Sequence, residues 1–281
     1  MTASAPGWRG SLSLRFGSVA GRTVAHDRHE GPLRVLQPLY PEGPAICHHV
    51  LVHPPGGIVG GDQLLLDVQV EEGAHALITT PGAARFYRSD GQTAVQTVDL
   101  RLGAGARLEW LPMETIAYPG CNASSRLVAD LQPGAQAMGW DVLALGLPAA
   151  GQAFDRGRFV QHIEVPGVWL ERGAIDGADA LLLHSPLGFD RHAVLATLWF
   201  VAGDELPPSQ RDRMIEAARA ATAVHSLART AGITAPQSRV LVLRALAPKV
   251  EPAMQLLTEV RALWRALAWG LAAEPPRIWQ T

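Results

Sequence analysis

Lysine is nearly missing from this chain: Lys249 is the only one among 281 residues. The positive charge therefore rests on arginine, whose planar, fixed donors suit carboxylates and partner surfaces better than a mobile ammonium does. Excess charge is missing too. The formal net value is -2, which leaves no electrostatic footprint for nucleic acid. Cys47 and Cys121 are the whole supply of cysteine, too few for a disulfide framework and without the paired spacing that holds zinc. No apolar run reaches the roughly 20 residues of a membrane span, and the N-terminus carries no apolar signal segment. These absences lead to the expectation of a soluble, cytoplasmic protein with neither nucleic acid nor membrane as partner. Charged residues make up only 18% against 48% hydrophobic, so a sizeable core is available and the composition is that of a folded chain.

Against that background one stretch stands out, His53-Pro54-Pro55-Gly56-Gly57-Ile58-Val59-Gly60-Gly61-Asp62. The apolar runs Val50-Leu51-Val52 and Leu64-Leu65-Leu66 flank it and read as buried strands. Two prolines that cannot donate to a ladder and four glycines that tolerate positive φ predict a rigid, unusual turn ending in a carboxylate.

A strand-turn-strand unit then repeats. Val68-Gln69-Val70, Leu100-Arg101-Leu102 and Ala129-Asp130-Leu131 are followed by Gly73-Ala74, Gly105-Ala106 and Gly134-Ala135, with the glycines 32 and 29 residues apart. A period of this length built only from strands predicts layered β coils, each covering the apolar face of the last. A meander of hairpins gives a similar string. The expected architecture is one mainly-β domain over residues 1–281. Residues 1–10 are frayed, 11–201 form a β-helix-like stack of strands, and 202–281 hold two α-helices and a strand. The first helix starts near Pro208 and stops at Gly232. The second starts at Pro252, carries Met254, Leu257, Val260, Trp264, Leu267 and Leu271 at helical spacing, and stops at Pro275 and Pro276.

The catalytic motifs are thin. GGIVGGD lacks the Lys-Ser/Thr of a phosphate-binding loop, and neither a GxSxG nor an HExxH spacing occurs. His48, His49 and His53 are close in sequence; on a strand His49 and His53 share a face and His48 points the other way. Together with Asp62 they supply the alternative reading, a metal-dependent hydrolase. Three acids, Asp62, Asp141 and Glu171, sit in or beside apolar stretches. Each is exposed by alternation, paired, or set in the wall of a wet cavity. Carboxylates along a water-filled passage suit transient passage of a divalent cation, because few oxygen ligands per station let the ion leave.

Two further stretches, Thr79-Thr80-Pro81-Gly82-Ala83-Ala84-Arg85-Phe86-Tyr87-Arg88-Ser89 and Leu108-Glu109-Trp110-Leu111-Pro112-Met113-Glu114-Thr115-Ile116, follow the glycine-rich turn in this order. With Trp140-Asp141-Val142-Leu143-Ala144-Leu145-Gly146 and the tail Pro276-Arg277-Ile278-Trp279-Gln280-Thr281, the chain resembles the urease accessory protein family UreD, also called UreH, from about Gly7 to its end. The resemblance implies a non-enzymatic scaffold, with stacked strands and late helices. It implies binding to a urease apoprotein and to UreF, which carries the GTPase UreG, and delivery of Ni2+ in transit through an internal water-filled tunnel, with no tightly bound cofactor. By motif, Asp62, Asp141 and Glu171 match the family's acids and become the expected tunnel residues. His53, Pro54, Pro55, Gly56, Gly57, Gly60 and Gly61 match its loop. Trp264 and Trp269 on the second helix are the expected contacts for UreF. The chain departs from the family at Met113, where glutamine is common, and at Leu147 and Gln152, where an arginine and a glutamate are lost together.

Overall fold

The computed structural model describes residues 7–280. Its strands alternate as the sequence predicts. In β5 (Gln63–Val70), Leu64, Leu66, Val68 and Val70 are buried while Gln63 and Gln69 are exposed. The chain crosses repeatedly between two sheets. β1 (Arg9–Val19) and β2 (Arg22–Glu30) form a hairpin, followed by β3 (Arg34–Val35) and β4 (Ile46–Val52). The coils then run through β5, β6 (His75–Thr79), β7 (Ala84–Phe86), β8 (Ala94–Leu102), β9 (Arg107–Leu111), β10 (Thr115–Ala117), β11 (Asn122–Leu131), β12 (Gln136–Leu145) and β13 (Arg158–Val165). The first sheet has the order β14-β13-β11-β8-β5-β1-β2, where β14 is Trp169–Asp176. Strands β5, β8, β11 and β13 run parallel in it, and β4, β6, β9 and β12 run parallel in the second sheet. Short β7 and β10 pair beside the end of β12. The expectation of stacked β coils is met.

The repeat glycines explain the stacking. Gly73, Gly105 and Gly134 all take positive φ. The Gly73 N–H donates to the Ala104 carbonyl at 3.1 Å and the Gly105 N–H to Pro133 at 3.2 Å. Each tight turn thus sits on the next, and the register Val68↔Leu100 and Leu100↔Ala129 follows from it.

Four later elements complete the fold: β15 (Val194–Ala202), α2 (Pro208–Val224), β17 (Val240–Ala247) and α3 (Val250–Trp269), with β16 (Ala231–Gln237) at the edge. Apolar residues of both inner faces form one core. The outer face of the second sheet packs on α2 and α3 as a second core. A sheet covered on both sides reads as continuous burial, and β6 is buried at every position. No described helix is long and apolar enough to cross a membrane.

Several expectations need correction. A third helix, α1 (Ala180–His184), lies ahead of the expected helical region; the Asp179 side chain caps it by accepting the Leu182 N–H at 2.9 Å. The last segment holds two strands rather than one. β16 escapes a periodicity search because it is an edge strand with Pro236 and a register shift between Thr234 and Gln237. The helix at Pro208 ends at Val224, where His225 turns extended, well before Gly232. α3 begins at Val250, because Pro252 falls in the first turn where its missing N–H has no partner to lose. It ends at Gly270 in the left-handed region, not at the prolines. Residues 1–6 lie outside the described residues, but β1 already begins at Arg9, within the stretch expected to fray.

Close packing between β12 and β15 gives a first prediction. Gly139 pairs with Trp199, and a Cβ there would stand 2.3 Å from the indole Cζ2. Gly139→Val is expected to cost about 1–3 kcal/mol through overpacking, lowering the melting temperature by roughly 2–10 °C, as circular dichroism will read.

Candidate functional site

The glycine-rich loop is built around Asp62. One carboxylate oxygen accepts the Trp8 N–H at 2.8 Å and the other the Val59 N–H at 3.0 Å. The acid therefore ties the start of β1 to the loop, and at 8% exposure it is largely dry. The glycines are there for contact. A Cβ on Gly57 would stand 2.1 Å from the Tyr87 ring, and on Gly60 2.2 Å from the Ser89 hydroxyl. Pro54 and Pro55 lie exposed at the loop's tip, and Gly56 takes positive φ. His53 opens the turn by accepting the Gly56 N–H at 3.0 Å. Burial pushes the His53 imidazole down, opposed by the Asp62 charge.

Beneath this loop lies a cavity of about 340 Å³, lined from the loop by His53, from the first sheet by Gln96 and Ser125, from the second by Asp141, and from the connection between β9 and β10 by Met113. Register explains its polar end. On the inner face of the first sheet, Gln96, Ser125 and Gln161 are cross-strand neighbours. On the second sheet, Asp141, Thr197 and Arg244 are neighbours in the same way. The two rows meet where the Gln161 amide donates to Asp141 Oδ1 at 2.5 Å. Thr197 is 1% exposed, and its hydroxyl meets no partner among the described residues. At the outer end, the Arg244 Nε donates to both oxygens of Glu171 at 2.8 and 2.9 Å. Burial pushes the Asp141 carboxyl up to about 6, and the nearby Glu171 charge adds to the rise.

Of the three acids expected together, two converge. Asp141 lines the cavity and Glu171 stands within electrostatic reach of it, whereas Asp62 is spent on backbone N–H groups near His53. The histidines do not converge. His48 turns outward to Glu42, at 2.7 Å, while His49 packs edge-on against Phe16 in the inter-sheet core, its ring nitrogens unpartnered among the described residues. Burial pushes the His49 imidazole down. Among the described residues no three histidine, cysteine or acidic side chains meet to hold a metal, so the hydrolase alternative lacks its ligand set.

Trp264 and Trp269 also differ from expectation. Trp264 is fully buried and donates to the Met214 carbonyl of α2 at 2.9 Å. Trp269, 8% exposed, donates to Gln136 at 2.6 Å. Both fasten α3 to its neighbours and neither offers a surface to a partner. The tail does the same: the Trp279 indole donates to Thr79 at 2.8 Å and lies against Trp140. At the departures, Leu147 and Gln152 face each other in an antiparallel bridge, their N–H groups donating across it at 2.7 and 3.1 Å. Backbone alone closes that turn where the resemblance implies an ion pair. Met113 lines the cavity and its N–H donates to the Thr80 hydroxyl at 2.8 Å.

What the sequence reading missed is Glu109. It is fully buried, accepts from Arg261 at 2.6 and 2.8 Å and from Arg265 at 3.0 Å, and lies 3.5 Å from His75. Burial acts to raise its pKa, but the His75 contact and the two guanidiniums hold the carboxyl at about 2. The signal was present: a lone acid within Leu108-Glu109-Trp110-Leu111, and two arginines four apart on the apolar face of a helix.

The profile of the UreD urease accessory protein family matches residues 9–280. The chain is 59% identical over 276 residues to the urease accessory protein UreD of Leptothrix cholodnii, spanning 98% of this chain and 99% of that one. It is 57% identical over 274 residues to UreD of Variovorax paradoxus and 53% identical over 294 to UreD of Methylibium petroleiphilum, each alignment covering 98% of this chain and 99% of the relative. The glycine-rich loop, the coiled strands and the late helices thus belong to a chain that is a member of the UreD family of urease accessory proteins.

Proposed function

We propose that this chain is a non-catalytic scaffold of urease maturation in the cytoplasm. It binds the urease apoprotein and UreF, receives UreG through UreF, and conducts Ni2+ in transit along its internal passage without holding a tight cofactor. The observation that carries the reading is the polar row running from the cavity through Asp141, Gln161 and Thr197 to Arg244 and its partner Glu171, across the inter-sheet core. An interior that only had to pack would leave these positions apolar. One or two oxygen ligands per station bind a hydrated divalent ion weakly enough to release it.

The test is activation of apo-urease in a defined mixture of the accessory proteins and Ni2+. Asp141→Ala and Glu171→Ala are each expected to cut nickel incorporation by roughly tenfold or more, since each removes a charged oxygen station from the path. Co-elution with UreF should be unchanged. Normal nickel incorporation with either variant would overturn the conduction reading.

A further inference from the structure

The outer end of the polar row carries a cation of its own. Glu171 is on the edge strand β14, Arg244 on β17 of the other sheet, and the pair closes the gap between them. Every side-chain hydrogen bond that Arg244 makes among the described residues goes to Glu171. Both carboxylate oxygens face the Arg244 guanidinium, whose charge opposes the approach of a second cation. One step inward on the same register row is the buried, unpartnered hydroxyl of Thr197, and one step further is Asp141. Two oxygen-bearing groups therefore lie along the row that ends in Arg244, and Glu171 meets that end from the other sheet.

We propose that Arg244 is the stopper of this passage: its guanidinium holds the Glu171 carboxylate in place of a divalent cation and swings to solvent when the cation takes that station, with the Thr197 hydroxyl as the next oxygen along. This rests on the conduction reading and adds to it a residue that sets occupancy. The stopper is built to move. The Arg244 side chain is 44% exposed and Glu171 only 16%, so the arginine can be released while the acid stays in the passage. A half-exposed pair is a weak lock, and a doubly charged ion competes for the carboxylate at an advantage over a single charge. Arginine suits the task because its fork covers both oxygens, which a lysine does not.

Ni2+ binding to the full-length chain by isothermal titration tests the assignment. Arg244→Gln is expected to bind Ni2+ about tenfold more tightly than the unaltered chain, because the competing charge is gone. Arg244→Lys, which keeps a charge but loses the fork, should bind roughly threefold more tightly. Adding Glu171→Gln to Arg244→Gln should abolish the gain. Should Arg244→Gln fail to fold, Arg244→Lys alone decides. Unchanged affinity in the folded variants, or a gain that survives Glu171→Gln, overturns the stopper. The two readings separate cleanly. Unchanged affinity alongside lost nickel incorporation in Asp141→Ala removes the stopper and leaves the passage. Normal incorporation in Asp141→Ala removes the passage and the stopper with it.

Discussion

Glu109→Gln is expected to lower the melting temperature of the full chain by roughly 10 °C or more. Glu109 on β9 is fully buried and its two oxygens receive Arg261 and Arg265 from α3, both fully buried as well. Arg265 reaches on to Glu42 at 2.7 Å, and Glu42 to His48 at 2.7 Å. Glu109 is thus the one carboxylate that Arg261 pairs with among the described residues, while Arg265 divides between Glu109 and Glu42. Removing it leaves the buried Arg261 unpaired, at about 3–5 kcal/mol, and for a chain of this size each kcal/mol shifts the midpoint by roughly 2–4 °C. The acid arm checks the same contact. Glu109 titrates at about 2 in the fold against 4.5 unperturbed. Its contribution is therefore complete above 4.5 and lost as pH falls toward 2. Melts of Glu109→Gln should lack that acid-side decline. A triple variant, Glu109→Leu with Arg261→Met and Arg265→Met, is expected to recover most of the loss, because a buried ion cluster is not intrinsically superior to well-packed apolar groups. A single-variant melt within 3 °C of the unaltered chain would sink the argument.

That cluster marks where sequence reading stops. The coils were legible because each depends on a local device, a positive-φ glycine after an alternating strand, repeated at a nearly constant interval. Asp141 and Glu171 were legible as acids out of place, but their meeting depends on register across two sheets, which no local pattern encodes. Asp62 was equally out of place and turned out to hold two backbone N–H groups; nothing in the string separates a capping acid from a passage acid. Helical spacing placed Trp264 on the apolar stripe of α3 correctly. It could not say that this stripe faces the second sheet and α2 instead of a partner, because that depends on which face of the sheet the coils leave uncovered. Glu109 and its arginines are 152 and 156 residues apart, so the charges that neutralise one another are invisible until the helix docks.

Asp141→Asn should move stability in the opposite direction to Glu109→Gln, and with a pH signature. The Asp141 carboxyl titrates at about 6 in the fold against 3.8 unperturbed. Between those values the folded chain binds the extra proton, so its contribution is fully present below 3.8 and is lost as pH rises through 6. At pH 7.5 the ionised acid is a net cost, of about 3 kcal/mol. An asparagine carries no charge to desolvate, and its amide oxygen can still accept from Gln161. The variant is therefore expected to melt roughly 6–12 °C higher at pH 7.5 and with no gain at pH 4. Nickel incorporation into urease should fall in the same variant, since a neutral amide attracts a divalent ion far less than a carboxylate does. Stability gained and delivery lost by one substitution is the mark of a charge kept for passage at the expense of the fold. Equal melting shifts at both pH values would show that the acid's charge is not what the fold opposes. A lower midpoint at pH 7.5 would make Asp141 a structural partner of Gln161, and the passage would lose its central station.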